Sequence, residues 1–269
     1  MIVSNFVSII TTARNAEVYI METLMSVYKQ TFSEYEHIII DDGSTDQTPF
    51  LVENFKLQHP DSKIKLIKTE GIGRGKALNL GVSKATGNWI AVIDADDLWH
   101  PNKLQIQMEV CSAHDWDVLG TEGSLFSDSE VLQMAQPTRQ SKIEIVSRST
   151  LLKSNVLSHS SVIMKKEVCR YDENRNSQYD YELWLRLLSE GKSLGIVKES
   201  LNYHRIHAGQ SFEGKMGKIY RWRSFKLKTK YAFKARAYGA VLYNVLKLAF
   251  DFLLPRDWRL KIKSKMKRV

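Results

Sequence analysis

The chain has 269 residues, of which 43% are hydrophobic and 26% charged, and a formal net charge of +9. This composition builds a core and excludes disordered and fibrous proteins, and the length fits one large domain or one domain with an appendage. Cys111 and Cys169 are too few for a disulfide scaffold and point to a reducing cytosol, while neither a signal peptide nor a membrane-spanning apolar run is evident.

Periodicity predicts a buried strand through Val7, Ile9 and Ile10, ending at Thr11, Thr12 and Asn15, and then a helix carrying Val18, Tyr19, Leu24, Val27 and Tyr28. His37–Ile40 reads as a second strand. It stops at Asp41-Asp42-Gly43-Ser44, with Ser44 or Thr45 placed to cap a helix through Phe50, Leu51 and Phe55. Ile64–Ile67 gives a third strand, and Gly71–Gly75 a flexible entry to a helix with Ala77, Leu78, Leu80 and Val82. Trp89–Ile93 is a fourth strand ending at Asp94-Ala95-Asp96-Asp97, after which Pro101 opens a helix. Residues 118–148 read as short strands and loops, Leu157–Met164 as a strand, and Tyr181–Leu188 as a helix stopped by Gly191. Continuously apolar strands alternating with helices predict an α/β fold, a mostly parallel central sheet with helices on both faces. Ligands of such sheets bind beyond the carboxyl ends of the strands, where the Thr and Asp pairs fall. A boundary near residue 213 divides a domain 1–213 from a basic helical extension 214–269.

Asp94, Asp96 and Asp97 repel one another unless a cation or solvent compensates. An Asp-x-Asp at a strand end suits a hard divalent cation that also grips substrate phosphates; a solvated turn capping the next helix is the alternative. Asp41 and Asp42 either accept hydrogen bonds from a base or ribose, with Gly43 allowing close approach, or form an ordinary turn. Gly71–Lys76 brings Arg74 and Lys76 to a helix start, as phosphate-cradling loops do, yet it fits neither the Walker nor the dinucleotide pattern. Trp89 and Trp184 read as core, and His159 as a pocket or a structural histidine.

In combination, FVSIITTARNAEVYIMETLMSVYKQTF, HIIIDDGSTDQT, GRGKALNLGVSKATGNWIAVIDADDLWHPNKLQIQ and YDYELWLRLLSEG resemble, in order, the family 2 inverting glycosyltransferases of the GT-A fold. The resemblance implies a hexosyl transfer from a nucleotide-diphosphate sugar, UDP-linked, to a saccharide or lipid-linked saccharide, in bacterial surface polysaccharide biosynthesis. It implies that Thr12 and Arg14 meet the base and that Asp42, with Asp41 beside it, recognises uracil. It further implies Asp94 near the ribose, Asp96 on a divalent metal ion (Mn2+ or Mg2+) and Asp180 as catalytic base. His207, in HRIHAGQS, resembles a histidine of a loop that closes over the diphosphate and touches the metal. Arg14 stands where many members carry an aromatic residue, and Tyr179-Asp180 where Glu-Asp is usual. Lys218-Ile219-Tyr220-Arg221-Trp222 only approximates the Gln-x-x-Arg-Trp of processive members.

Charge is unevenly distributed. Residues 214–269 hold 17 Lys+Arg against 2 Asp+Glu, whereas residues 1–213 hold 22 against 28. From Tyr238 apolar residues recur at helical spacing, and seven basic residues follow between Arg256 and Arg268. This pattern suits either an anionic membrane surface or a helix packed on the enzyme's own body with a solvated basic end; with the lipid-linked acceptor that the resemblance implies, it places the protein peripherally on the cytoplasmic face of an inner membrane. The acidic body argues against nucleic acid as partner; the competing reading is a non-catalytic sugar-nucleotide or nucleic-acid binder that uses the basic tail.

Overall fold

The computed structural model describes residues 5–128, 134, 136–138, 141–207 and 217–253. In chain order these form β1 (Val7–Ala13), α1 (Ile20–Tyr28), β2 (Tyr35–Asp42), α2 (Thr48–Gln58), β3 (Ile64–Thr69), α3 (Arg74–Lys84) and β4 (Trp89–Val92). Then come β5 (Leu98–Trp99), α4 (Lys103–Ala113), β6 (Val118–Phe126), β7 (Ile143–Ile145), α5 (Arg148–Leu151), β8 (Ile163–Lys165), α6 (Tyr179–Ser189) and β9 (Leu194–Arg205). Two longer helices, α7 (Gly217–Lys234) and α8 (Tyr238–Leu253), close the described chain.

The strands pair in the order β3-β2-β1-β4-β8-β6-β9-β5, with β7 also on β9. From β3 to β4 every pairing is parallel, in a register that sets Ala13 opposite Asp41 and Asp42 opposite Thr69. Parallel strands sheathed on both faces must be apolar throughout; Ile38, Ile39 and Ile40 are accordingly fully buried. The acidic segments after β2 and β4 therefore leave the sheet at the same edge. Beyond β4 the sheet is mixed: β8 is antiparallel to β4 and β6, and β9 runs parallel to β6. Trp89 and Trp184 lie in the core as predicted.

Four local expectations fail for physical reasons. Ser44 and Thr45 do not cap α2, whose N-cap is Gln47; instead Ser44 Oγ accepts from the Asn15 amide, and the Thr45 amide donates to Asn15 Oδ1. Pro101 lies just before its helix, for which Asn102 is the N-cap. His159–Ser161 forms a 3-10 turn where a strand was predicted, and only Ile163–Lys165 continues as β8. Finally, β9 and the length of β6 were unread: Lys198, Glu199 and Ser200 interrupt the apolar pattern of β9, and the β6–β9 register shifts around Glu122.

Contacts divide the chain into two compact units. One comprises Met1–Val146 and Val156–Ala208, and the other Ser147–Asn155 and Gly209–Val269. Within the second, Asn244 Nδ2 donates to the Leu152 carbonyl and Lys228 Nζ to the Lys153 carbonyl, so the short segment holding α5 packs with α7 and α8.

At the amino edge of the parallel strands a buried carboxylate fastens four chain segments. Glu36 Oε1 accepts from Ser8 Oγ (2.7 Å) and from both the amide and hydroxyl of Thr86 (2.7 and 2.6 Å), and Glu36 Oε2 accepts from Lys65 Nζ (2.6 Å). Burial alone would raise its pKa, but these donors outweigh it and bring the value from 4.5 to about 2. A depressed carboxylate pKa stabilises the fold above the unfolded value and loses that contribution as pH falls toward the folded one. Glu36→Gln should thus lower unfolding free energy by about 3 kcal/mol at neutral pH, and denaturant titrations should show the gap from wild type closing between pH 5 and 2. A gap independent of pH would refute the assignment.

Candidate active site

The site begins with two linked turns. Asp42, the last residue of β2, accepts from Thr69 Oγ1 (2.7 Å) and the Ile72 amide (2.7 Å) through Oδ1, and from the Gly73 amide (2.9 Å) through Oδ2. Gly43 has φ +76°, and a Cβ on it would lie 2.8 Å from the Gly71 nitrogen, so only glycine lets the turns touch. Asp42, expected at the base, therefore also holds the glycine loop in place. Asp41 is buried with Oδ1 lacking a donor. Thr12 is half-buried at the end of β1, and exposed Arg14 reaches over Gly71.

The fastened loop launches α3, whose N-cap Gly73 offers no capping side chain. Uncapped amides and the helix dipole make such a terminus attractive to anions. Arg74 stands first in the helix and donates to Asp94 Oδ1 at 2.5 Å, while Lys76 is exposed in the same turn. Asp94 raises the pKa of the Arg74 guanidinium most, and Asp180 and Asp96 add to the effect. The three predicted acids thus lie within the electrostatic reach of one cation.

Asp180 comes close because α6 and α3 meet at a glycine. A Cβ on Gly75 would stand 2.8 Å from the ring of Tyr179, the first residue of α6. Asp180 follows, in the first turn of α6. His159 proves to be part of the cluster: its Nδ1 lies 3.3 Å from Arg74 and 3.5 Å from Asp94, and its Nε2 lies 2.9 Å from Tyr171 Oη. Against the effect of burial, Arg74 and His159 hold the Asp94 carboxyl well below the usual range.

The Asp94–Asp97 turn is fixed from the far side of the sheet. β5 pairs with β9, and Thr23 Oγ1 sits 2.9 Å from the carbonyls of both Ala95 and Asp97. Fully buried Asp97 meets His204 Nδ1 at 2.9 Å and the Arg205 amide at 3.2 Å; its hydrogen bond raises the His204 pKa to about 9, keeping that imidazole protonated. Arg205 is itself buried, donating to the Asp96 carbonyl, Glu22 and Asp128, with its guanidinium over the rings of Tyr19 and Phe126. Two residues on, His207 Nε2 reaches Asp96 Oδ2 at 3.0 Å.

Among the described residues Asp94, Asp96 and Asp97 could chelate an ion, their ligand atoms lying within 4.8 Å of one another. The donor chemistry narrows the choice. Asp97 is fully buried against His204 and Arg205, whereas Asp94, which pairs with Arg74, and the facing pair Asp96 and His207 keep 22%, 26% and 20% of their side chains exposed. A carboxylate oxygen and an imidazole nitrogen facing one another fit a divalent cation. Sequence reading missed Arg205, Glu22, His204 and Tyr171. Of these, His204 and Arg205 lie in the HRIH segment that also holds His207.

Residues 8–170 match the profile described as Glycosyl transferase family 2. Among curated relatives, the UDP-Glc:alpha-D-GlcNAc-diphosphoundecaprenol beta-1,3-glucosyltransferase WfgD of Escherichia coli is 30% identical over 193 residues, covering 71% of this chain and 72% of WfgD. Among solved structures, S. aureus TarS 1-349 in complex with UDP-GlcNAc superposes with a TM-score of 0.70 at 22% identity, covering 92% of this chain and 73% of that one. The mannosyltransferase PcManGT of Pyrobaculum calidifontis, in complex with GDP-Man and Mn2+, gives 0.61 at 19% identity, covering 98% and 80%. The fold is GT-A, and the chain belongs to glycosyltransferase family 2.

Proposed function

We propose that this glycosyltransferase moves a hexosyl unit, with inversion, from a UDP-linked sugar to a saccharide or lipid-linked saccharide hydroxyl in surface polysaccharide assembly. The observation that carries the reading is Arg74 at an uncapped helix N-terminus, bonded to Asp94 and within electrostatic reach of Asp96 and Asp180. UDP-Glc in the name of WfgD and UDP-GlcNAc bound to TarS support a uridine donor.

In this reading the base lies at the ends of β1 and β2, beside Thr12, Arg14, Asp41 and Asp42, with the ribose near Asp94. The diphosphate meets the α3 N-terminus, Arg74 and Lys76. Asp96 and His207 would hold the divalent cation, which supplies Lewis-acid compensation for charge on the leaving group. Asp180 takes the proton of the acceptor hydroxyl as its oxygen attacks the anomeric carbon. The bond to the acceptor forms while the bond to the diphosphate breaks, and the electron pair departs with the nucleotide. Arg74 can release Asp94 toward the ribose when it turns to the phosphates, since one guanidinium offers several donors.

Removal of a general base typically slows a reaction by about 10²- to 10⁴-fold, so Asp180→Asn should lose transfer by that factor while UDP binding, followed by calorimetry, persists. Full transfer by Asp180→Asn sinks the assignment. Asp96→Ala should abolish the strengthening of UDP binding by Mn2+; a retained Mn2+ effect would place the ion elsewhere. Gly75→Ala should push Tyr179 and hence Asp180 outward, reducing turnover by about 10-fold or more with donor affinity nearly unchanged. Unaltered turnover would show that the α3–α6 contact does not position the base.

A further inference from the structure

In α8 a polar residue is buried while several apolar ones face solvent. Asn244 is 1% exposed and bonded to the Leu152 carbonyl, while Tyr238, Leu242 and Leu246 are 66%, 61% and 61% exposed. With Val245 and Ala249 they recur at i, i+4, i+7, i+8 and i+11, one continuous apolar stripe turned to solvent. On α7 the exposed positions Ile219, Trp222, Lys226, Lys230 and Phe233 combine apolar residues with cations. α7 contains seven Lys+Arg and no acidic residue, and residues 254–269 contain seven against one.

We propose that α7 and α8 form a docking surface for an anionic phospholipid bilayer, on which the α8 stripe enters the acyl boundary while lysines and arginines contact headgroups. Charge and shape favour this occupant. A contiguous exposed apolar stripe marks an interaction site, and basic residues accompanied by Trp222 and Tyr238 suit the interface between headgroups and hydrocarbon. No described helix is long and apolar enough to cross a membrane, so the surface binds without spanning. The proposal stands independently of the donor chemistry, because none of these side chains belongs to the candidate active site.

The test is co-sedimentation of the full chain with vesicles of phosphatidylcholine alone or mixed with phosphatidylglycerol, across a salt series. Binding should require the anionic lipid and weaken with salt. The double variant Leu242→Glu/Leu246→Glu should lose about 10-fold or more in partition, with unchanged circular dichroism and UDP affinity. Lys226→Glu/Lys230→Glu should bind anionic vesicles more weakly. Equal partition by all three proteins overturns the proposal. So does a Leu242→Glu/Leu246→Glu variant that changes from dimer to monomer in sedimentation while keeping its lipid binding, for the stripe then joins two copies. Retention on DNA with no retention on anionic vesicles likewise overturns it, assigning the charge to nucleic acid.

Discussion

Concentrated negative charge at one sheet edge is the constraint around which the rest of the molecule is organised. Parallel register among β1, β2 and β4 delivers Asp41, Asp42, Asp94, Asp96 and Asp97 to the same rim. Carboxylates so close together destabilise the fold unless each finds a donor or a cation. For four of the five the structure supplies a different partner: backbone amides for Asp42, Arg74 for Asp94, His207 for Asp96 and His204 for Asp97. Asp97, which is itself fully buried, fixes the frame, while Asp94 and Asp96 keep 22% and 26% of their side chains exposed and are the ones a substrate or an ion can reach.

This division separates architecture from chemistry within one turn. Asp97 and Asp96 are adjacent, yet the first is sealed against β9 and the second opens outward. A helix start without a capping side chain is a local weakness in stability and also the feature that accepts an anion. At the amino edge Glu36 is the counter-example: a carboxylate with every donor it needs and no exposure to spare, which holds the strands and meets no substrate.

The first four strands were legible because burial on both faces leaves an uninterrupted apolar run, as in His37–Ile40. The acidic turns were legible because their composition contrasts so sharply with those runs. β9 was not: its chain enters and leaves the interior around Lys198–Ser200, so no single period describes it. Asp180 stands out through the resemblance of its helix to a family pattern; by charge alone it is one more acid in a first turn. Arg205 stands in the segment quoted for His207, but its role was not readable there, since its partners lie at positions 22, 96 and 128 and only folding assembles them. The helical spacing of the tail was readable, but which face would point outward depended on Asn244 finding a carbonyl in a distant segment.

Arg205 is at once the counterion of Glu22 and Asp128, a donor to the backbone of the Asp96 turn and the planar neighbour of two aromatic rings. Lysine could keep the charge but not the flat, multi-donor geometry, and altering any single neighbour leaves the others organised around an unbalanced guanidinium. This corner should therefore drift in evolution only by concerted replacement, with positions 19, 22, 128 and 205 inherited together or exchanged together as one epistatic block.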